Sequence, residues 1–177
     1  MFKKILIALD RSEIGKYVFE QGFGLAKMTG ASLLLLHVLS YEEEGSPYIP
    51  VSTFQYYPAM WEQILEFHQQ EWDRWKNQSV EMLQAFCAQA NTANVKAEFK
   101  QIPGNPSQVI CDLAKTWDAD LIVIGRRGHS GLAELLLGSV SNYVLHHAPC
   151  SVHVVQLPFD EKATKVAKES VGASASS

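Results

Sequence analysis

The chain has 177 residues, which suits one domain that buries its own core. Hydrophobic residues make up 47% of it and charged residues 19%, a composition that excludes an intrinsically disordered chain. Because the formal net charge is -4, we expect no broad surface for binding nucleic acid, although this total leaves room for a small local anion site.

The cysteines and the apolar runs indicate the cellular compartment in which the protein is expected. Cys87, Cys111 and Cys150 are an odd number without a C-x-x-C pair, so they predict neither a disulfide framework nor a zinc site. We therefore expect a cytoplasmic protein. The apolar runs at residues 5–9 and 33–39 are far shorter than the roughly 18 residues of a bilayer span, so we expect no membrane segment.

Strands and helices alternate in the first part of the chain. Residues 5–9 and 32–39 are continuous apolar runs, which indicate strands covered on both faces. Between them, Ser12 is a candidate cap for a helix that Gly30 would end. Residues 95–100 alternate apolar with charged side chains, which is typical of an edge strand.

The same alternation continues to the end of the predicted domain. Ser107 is a candidate cap for a further helix, and residues 121–124 form a fourth apolar strand. A short helix at residues 138–147 precedes a fifth strand at residues 151–155. The order predicts an α/β fold, an open five-stranded parallel sheet with helices on both faces. Ligands of such sheets bind outside the carboxyl ends of the strands, where the strand order reverses.

Two segments are additional to the predicted five-stranded fold. Residues 41–58 form a long loop rich in aromatic residues, prolines and acids, and the last residues, 158–177, drift into small polar residues typical of a flexible tail. A long helix after the loop carries a mainly apolar stripe at steps of four and three. The stripe consists of Trp61, Leu65, His68, Trp72, Trp75, Ser79, Met82, Phe86 and Ala90. A core-facing helix is the favoured interpretation, and a partner surface is the alternative.

The most informative segment, residues 124–141, starts at a strand end and finishes in the first turn of a helix. Gly125 and Gly128 would let the backbone approach an anion closely. The helix that begins near Gly138 would present free N–H groups and the positive end of its dipole. Ordinary turn formation would explain these glycines equally well.

Polar side chains of the same segment could add to a phosphate site. The hydroxyl groups of Ser139 and Ser141 can form hydrogen bonds, and Arg126 and Arg127 could supply local positive charge. Solvated arginines are the alternative for that pair. Neither a Walker loop nor a Rossmann turn is present, because no Gly-Lys-Ser or Gly-Lys-Thr occurs and the first strand is not followed by a glycine-rich turn.

The spacing G-x-x-G, nine residues, then G-S resembles the ATP-binding pattern of the universal stress protein family. Gly125, Gly128, Gly138 and Ser139 occupy the matching positions. The likeness extends, in order, to other segments of the family's domain, at residues 5–13, 37–38, 120–125 and 148–152. Several matching segments in order are far more specific than one glycine spacing.

The resemblance implies a Rossmann-like fold of the adenine nucleotide alpha hydrolase type. It implies a domain over residues 1–157 with an aromatic-rich insertion at about residues 41–75, followed by the flexible tail. It also implies that Asp10 approaches the phosphates or their Mg²⁺ and that Val38 contacts adenine. The alternatives without a ligand are that Asp10 only stabilises a turn and that Val38 is an ordinary core residue. Residues near Ala8 and Ile124 would line the base and ribose pocket. The residues implied to hold ribose and phosphate are Gly125, Arg126, Gly128, Gly138, Ser139, Val140 and Ser141.

The leading hypothesis is a stress-response or signalling protein that binds ATP or AMP and acts as a nucleotide-dependent switch. No nucleophile with a paired base is evident, and no second acid stands directly beside Asp10, so we assign no catalytic residue and expect at most weak ATP hydrolysis. One alternative is a slow Mg²⁺-dependent nucleotide hydrolase. The other is an interaction protein that acts through its long aromatic helix.

The resemblance and the composition also predict partners. The family implies a homodimer through the last strand, here residues 152–155, and an apolar edge strand left unpaired would favour such association. The insertion at residues 41–75 is the candidate surface for a protein partner. Neither nucleic acid nor a membrane is expected to bind.

Overall fold

The structure is a computed structural model, and it describes residues 1–41, 43, 45–47, 61–126 and 138–156. Five strands form one sheet, in which every pair of neighbours is parallel and the spatial order is β3-β2-β1-β4-β5. The strands are β1 (Lys4–Leu9), β2 (Ser32–Leu39), β3 (Ala97–Pro103), β4 (Leu121–Gly125) and β5 (Ser151–Val155). The predicted fold class is confirmed.

Helices cover both faces of this sheet. They are α1 (Glu13–Thr29), α2 (Trp61–Thr92), α3 (Pro106–Thr116) and α4 (Ser139–His147). Because successive strand residues point to opposite faces, Ile5 and Ile7 pack with α1 and α2, whereas Leu6 packs with α3 and α4. Strands buried on both faces are mainly apolar, which is why β1 and β2 consist largely of apolar residues, with His37 as a buried polar exception in β2.

The bounds of α1, β2 and β5 agree with the sequence prediction, and Gly30 ends α1 with a φ of 72°, a conformation that favours glycine. The predicted bounds of β3, residues 95–100, are wrong by two residues at the start and by three at the end. The backbone N–H of Val95 donates to the carbonyl of Ala90 at 3.0 Å, so residue 95 still belongs to the turn that follows α2. The predicted edge position of β3 is confirmed.

Ser107 is not the cap of α3, contrary to the prediction. Asn105 holds that position, and its Oδ1 accepts hydrogen bonds from the N–H groups of Ser107 at 3.1 Å and Gln108 at 3.4 Å. Pro106 is the first helical residue, where its missing N–H leaves no donor unsatisfied.

The long helix α2 faces the core over only part of its length. Ser79, Leu83 and Ala90 are buried in the second half, whereas Trp61 is 42% exposed and Phe67 is 65% exposed near the start. A helix of 32 residues is about 48 Å long, and a strand of eight residues spans about 26 Å, so α2 extends beyond the sheet. The core-facing interpretation is therefore correct for the second half of the stripe alone.

Parts of the sequence prediction lie outside the described residues. These are most of the predicted loop, with residues 42, 44 and 48–60, the segment 127–137, and the tail 157–177. Within the described ranges, no helix combines the length and the apolarity that a bilayer crossing needs.

Candidate functional site

A pocket of about 320 Å³ opens at the carboxyl ends of β1, β2 and β4. The chain proceeds from β1 toward β2 and β3 on one side, and β4 and β5 lie on the other side of β1. The pocket therefore lies where the strand order reverses, the place where open α/β sheets bind ligands. Its volume is within the range of small-molecule sites.

Most of the residues that the sequence assigned to the site line this pocket. They are Ala8, Asp10, Val38, Ile124, Gly125, Gly138, Ser139, Val140 and Ser141. Arg126 does not line it, and Arg127 and Gly128 lie outside the described residues. The arrangement agrees with the predicted placement, and the binding role of each residue stays a prediction.

Asp10 occupies the turn between β1 and α1. Its Oδ1 accepts hydrogen bonds from the N–H of Ser12, at 3.1 Å, and from the hydroxyl of Ser12. The carboxylate therefore stabilises the turn and also lines the pocket, so the two interpretations of this acid do not exclude one another. Gly15 makes this packing possible, since a Cβ there would lie 2.2 Å from the carbonyl oxygen of Asp10.

The first turn of α4 forms the opposite wall. Gly138 caps the helix with its backbone, and Ser139, Val140 and Ser141 bring their N–H groups into a turn that has no acidic side chain. Such a turn favours an anion through its free N–H groups and the helix dipole. The hydroxyl of Ser141 donates to the carbonyl of Gly138 at 3.0 Å, so it stabilises the turn.

Arg126 continues the pairing of β4 with β5 beyond the pocket. Its backbone N–H donates to the carbonyl of Val155 at 2.8 Å, and its Nη1 donates to Oε1 of Gln156 at 3.0 Å. The guanidinium group is thus drawn toward β5. Gly125 precedes it, and a Cβ at that position would lie 3.0 Å from Cγ2 of Val18, so this glycine also serves helix packing.

The pocket contains an acid that sequence reasoning missed. Glu43 lines it, and its carboxylate contacts Nε2 of His37 at 3.0 and 3.2 Å and accepts the backbone N–H of Arg11 at 3.2 Å. His37 is fully buried within β2. A polar side chain in a strand covered on both faces needs a partner, and the acids at residues 42–44 were the nearest candidates along the chain.

The long helix α2 supports the same corner of the pocket. The guanidinium carbon of Arg11 lies 4.1 Å from the ring centre of Trp75, and its Nη2 donates to Oε1 of Gln78 at 2.7 Å. Tyr41, at the end of β2, stacks on Trp72 with ring centres 4.5 Å apart. The turn after β1 and the chain after β2 are therefore both fixed by side chains of α2.

Comparison with known proteins identifies the fold and the family. The sequence matches the model of the universal stress protein family over residues 1–156. It is 39% identical over 155 residues to universal stress protein Sll1388 of Synechocystis, a match that covers 88% of this chain and 98% of that relative.

Solved structures agree with this match. The structure of hypothetical protein MJ0577 is similar with a TM-score of 0.66 at 22% identity, covering 90% of this chain and 99% of the other. A universal stress protein family member from Arabidopsis thaliana, solved with AMP bound, has a TM-score of 0.58 at 24% identity, covering 90% and 94%. These likenesses show a shared fold. Since the family model spans nearly the whole described chain, the protein belongs to the universal stress protein family.

Proposed function

We propose that this protein binds an adenine nucleotide, ATP or AMP, and acts as a nucleotide-dependent switch in a stress response. The observation that carries the proposal is the pocket at the reversal of strand order, lined by most of the residues that the family resemblance assigns to the nucleotide. The family membership and the AMP bound by the Arabidopsis relative support it.

The pocket offers different chemistry at its two ends. Val38, Ile110 and Ile124 give apolar walls suited to a purine ring, and the first turn of α4 gives N–H donors suited to phosphate. The strands β2 and β4 flank β1, so their ends lie about 10 Å apart. The base would therefore lie near β2 and the phosphates near α4.

Asp10 is the proposed Mg²⁺ ligand when ATP is bound. Its carboxylate is an oxygen ligand of the kind Mg²⁺ prefers, and phosphate oxygens and water would complete the shell. Among the described residues there is no cluster of three or more histidine, cysteine, aspartate or glutamate side chains that could hold a metal. The Mg²⁺ would accordingly depend on the nucleotide, and we assign no catalytic residue and at most weak hydrolysis.

Titration calorimetry tests the binding proposal. The wild-type protein should bind ATP and AMP, and Asp10→Asn should weaken Mg-ATP more than Mg²⁺-free AMP, because it removes the charge that faces the metal. Asp112→Asn, on an exposed position of α3, is the matched control and should change neither affinity. Absence of ATP and AMP binding by the wild-type protein would refute the proposal.

The switch and the partners form the second part of the proposal. The start of α2 carries exposed apolar side chains at Trp61, Leu65 and Phe67, which suit a protein partner, and the edge strand β5 suits a homodimer. Light scattering with and without ATP, on wild-type protein and His153→Glu, measures the dimer. Lys100→Glu on the opposite edge strand is its control. A monomer under all conditions would refute the dimer.

A further inference from the structure

Glu43 is a second acid of the pocket, and its carboxylate lies at the turn after β1, where it accepts the N–H of Arg11. Glu43 follows β2, whereas the helix turn that suits phosphate follows β4. Because β1 lies between β2 and β4, the carboxylate is about one to two strand spacings, roughly 5–10 Å, from the phosphate end at α4. A ligand that reaches both ends would present its nucleoside half to Glu43.

The carboxylate of Glu43 is held in one position by two donors among the described residues. Nε2 of His37 lies within hydrogen-bond distance of both carboxylate oxygens, and the N–H of Arg11 donates to Oε1. Because a carboxylate can only accept, we assign the hydrogen of the His37 contact to Nε2. The side chain of Glu43 is 6% exposed and that of His37 is fully buried. An acid fixed in this way and lining a pocket is a preorganised hydrogen-bond acceptor.

The chemistry of that acceptor limits what it can recognise. A carboxylate accepts hydrogen bonds, and it repels phosphate oxygens and offers nothing to the ring nitrogens of a purine. The uncharged donors of an adenine nucleotide are the amine of the base and the hydroxyl groups of the ribose. Glu43 therefore suits the nucleoside half and disfavours a reversed ligand with its phosphates at β2.

We propose that Glu43 is a specificity-determining residue, which accepts a hydrogen bond from an uncharged donor of the bound nucleoside. This inference rests on the proposed nucleotide-binding function. His37 and the backbone of Arg11 act as positioning groups for the carboxylate, and Trp75 and Gln78 hold Arg11 through its guanidinium group. Helix α2 thereby helps to position the acceptor.

The test compares AMP with three analogues, each of which lacks one hydrogen-bond donor of the nucleoside. Calorimetry would give the affinities of AMP, 2′-deoxy-AMP, 3′-deoxy-AMP and purine riboside 5′-monophosphate, which lacks the amine. Wild-type protein, Glu43→Gln and Glu43→Ala would be compared, with Glu71→Gln on α2 as the matched control. In Glu43→Gln an amide oxygen can still accept from His37, so this variant guards against loss of the fold.

In the wild-type protein we expect one analogue to bind about tenfold or more weakly than AMP, because the buried carboxylate is left without its donor. That ratio should shrink in Glu43→Gln, approach one in Glu43→Ala and stay unchanged in Glu71→Gln. The analogue concerned identifies the donor as the amine or a hydroxyl.

A merely structural role of Glu43 would weaken all four ligands by the same factor. Unchanged ratios in both Glu43 variants, with AMP still bound by the wild-type protein, would overturn this inference and leave the proposed function intact. Failure of the wild-type protein to bind AMP and ATP would overturn both.

Discussion

A methyl group at residue 15 would test how closely α1 must approach the end of β1. A Cβ at Gly15 would lie 2.2 Å from the carbonyl oxygen of Asp10 and 2.9 Å from its Oδ1, both too close for a carbon–oxygen contact. Helix and turn would have to move apart, at a cost of about 1–3 kcal/mol for such overpacking. The shift would also displace the carboxylate that lines the pocket.

Gly24→Ala is the matched control for Gly15→Ala, because Gly24 lies in the same helix and a Cβ there meets nothing within 4 Å. Both variants gain about 0.5–1 kcal/mol of helix stability from replacing glycine, so their difference isolates the contact with Asp10. The expected difference of about 1–3 kcal/mol between the two variants corresponds to about 3–9 °C in melting temperature for a domain of this size. Gly24→Ala should melt slightly above the wild-type protein.

The assay is thermal unfolding followed by circular dichroism, with ATP titration of both variants by calorimetry. Gly15→Ala should melt below Gly24→Ala and bind ATP more weakly, while Gly24→Ala should bind like the wild-type protein. Equal melting temperatures together with equal ATP affinities would refute the packing argument.

Two further predictions concern the pH dependence and the capping of the fold. The N–H groups of Lys3 and Lys4 donate to Oδ2 of Asp120 at 2.7 and 2.9 Å and lower the pKa of that carboxyl group below its usual value. The contribution of Asp120 to stability is therefore complete above the unfolded-state pKa and is lost as pH falls through the folded-state pKa. The difference in melting temperature between the wild-type protein and Asp120→Asn should accordingly shrink from about pH 6 to about pH 2. A constant difference would contradict this. Asn105→Ala should lower the free energy of unfolding in urea by about 1 kcal/mol and Ser107→Ala by less, and equal losses would contradict the assigned cap.

Much of the fold could be predicted because burial on both faces leaves a clear pattern. The end of β2, for example, follows from an apolar run that stops at Ser40. Local boundaries were harder where two residues had suitable chemistry. Asn105 and Ser107 can both cap a helix, and the proline between them, which fits the first helical position, favours Asn105.

The site could be predicted in outline for a similar reason. Parallel strands bring their carboxyl ends together, so Asp10 and Val38 had to lie near the glycine-rich segment once the topology was known. Glu43 could not be found this way. Its contact with His37 closes a turn after β2, and an acidic run in a loop is ordinarily solvated.

The start of α2 extends beyond the sheet, so any tilt of the helix would move this end the furthest. Trp75 is buried beside Arg11, and Trp61 lies fourteen residues earlier in the helix, about 21 Å away along its axis. A tilt of about 5° around Trp75 would move the end of the helix by about 2 Å. In the proposed nucleotide-dependent switch, a small tilt of α2 would therefore be largest at the exposed aromatic end, the proposed surface for a protein partner.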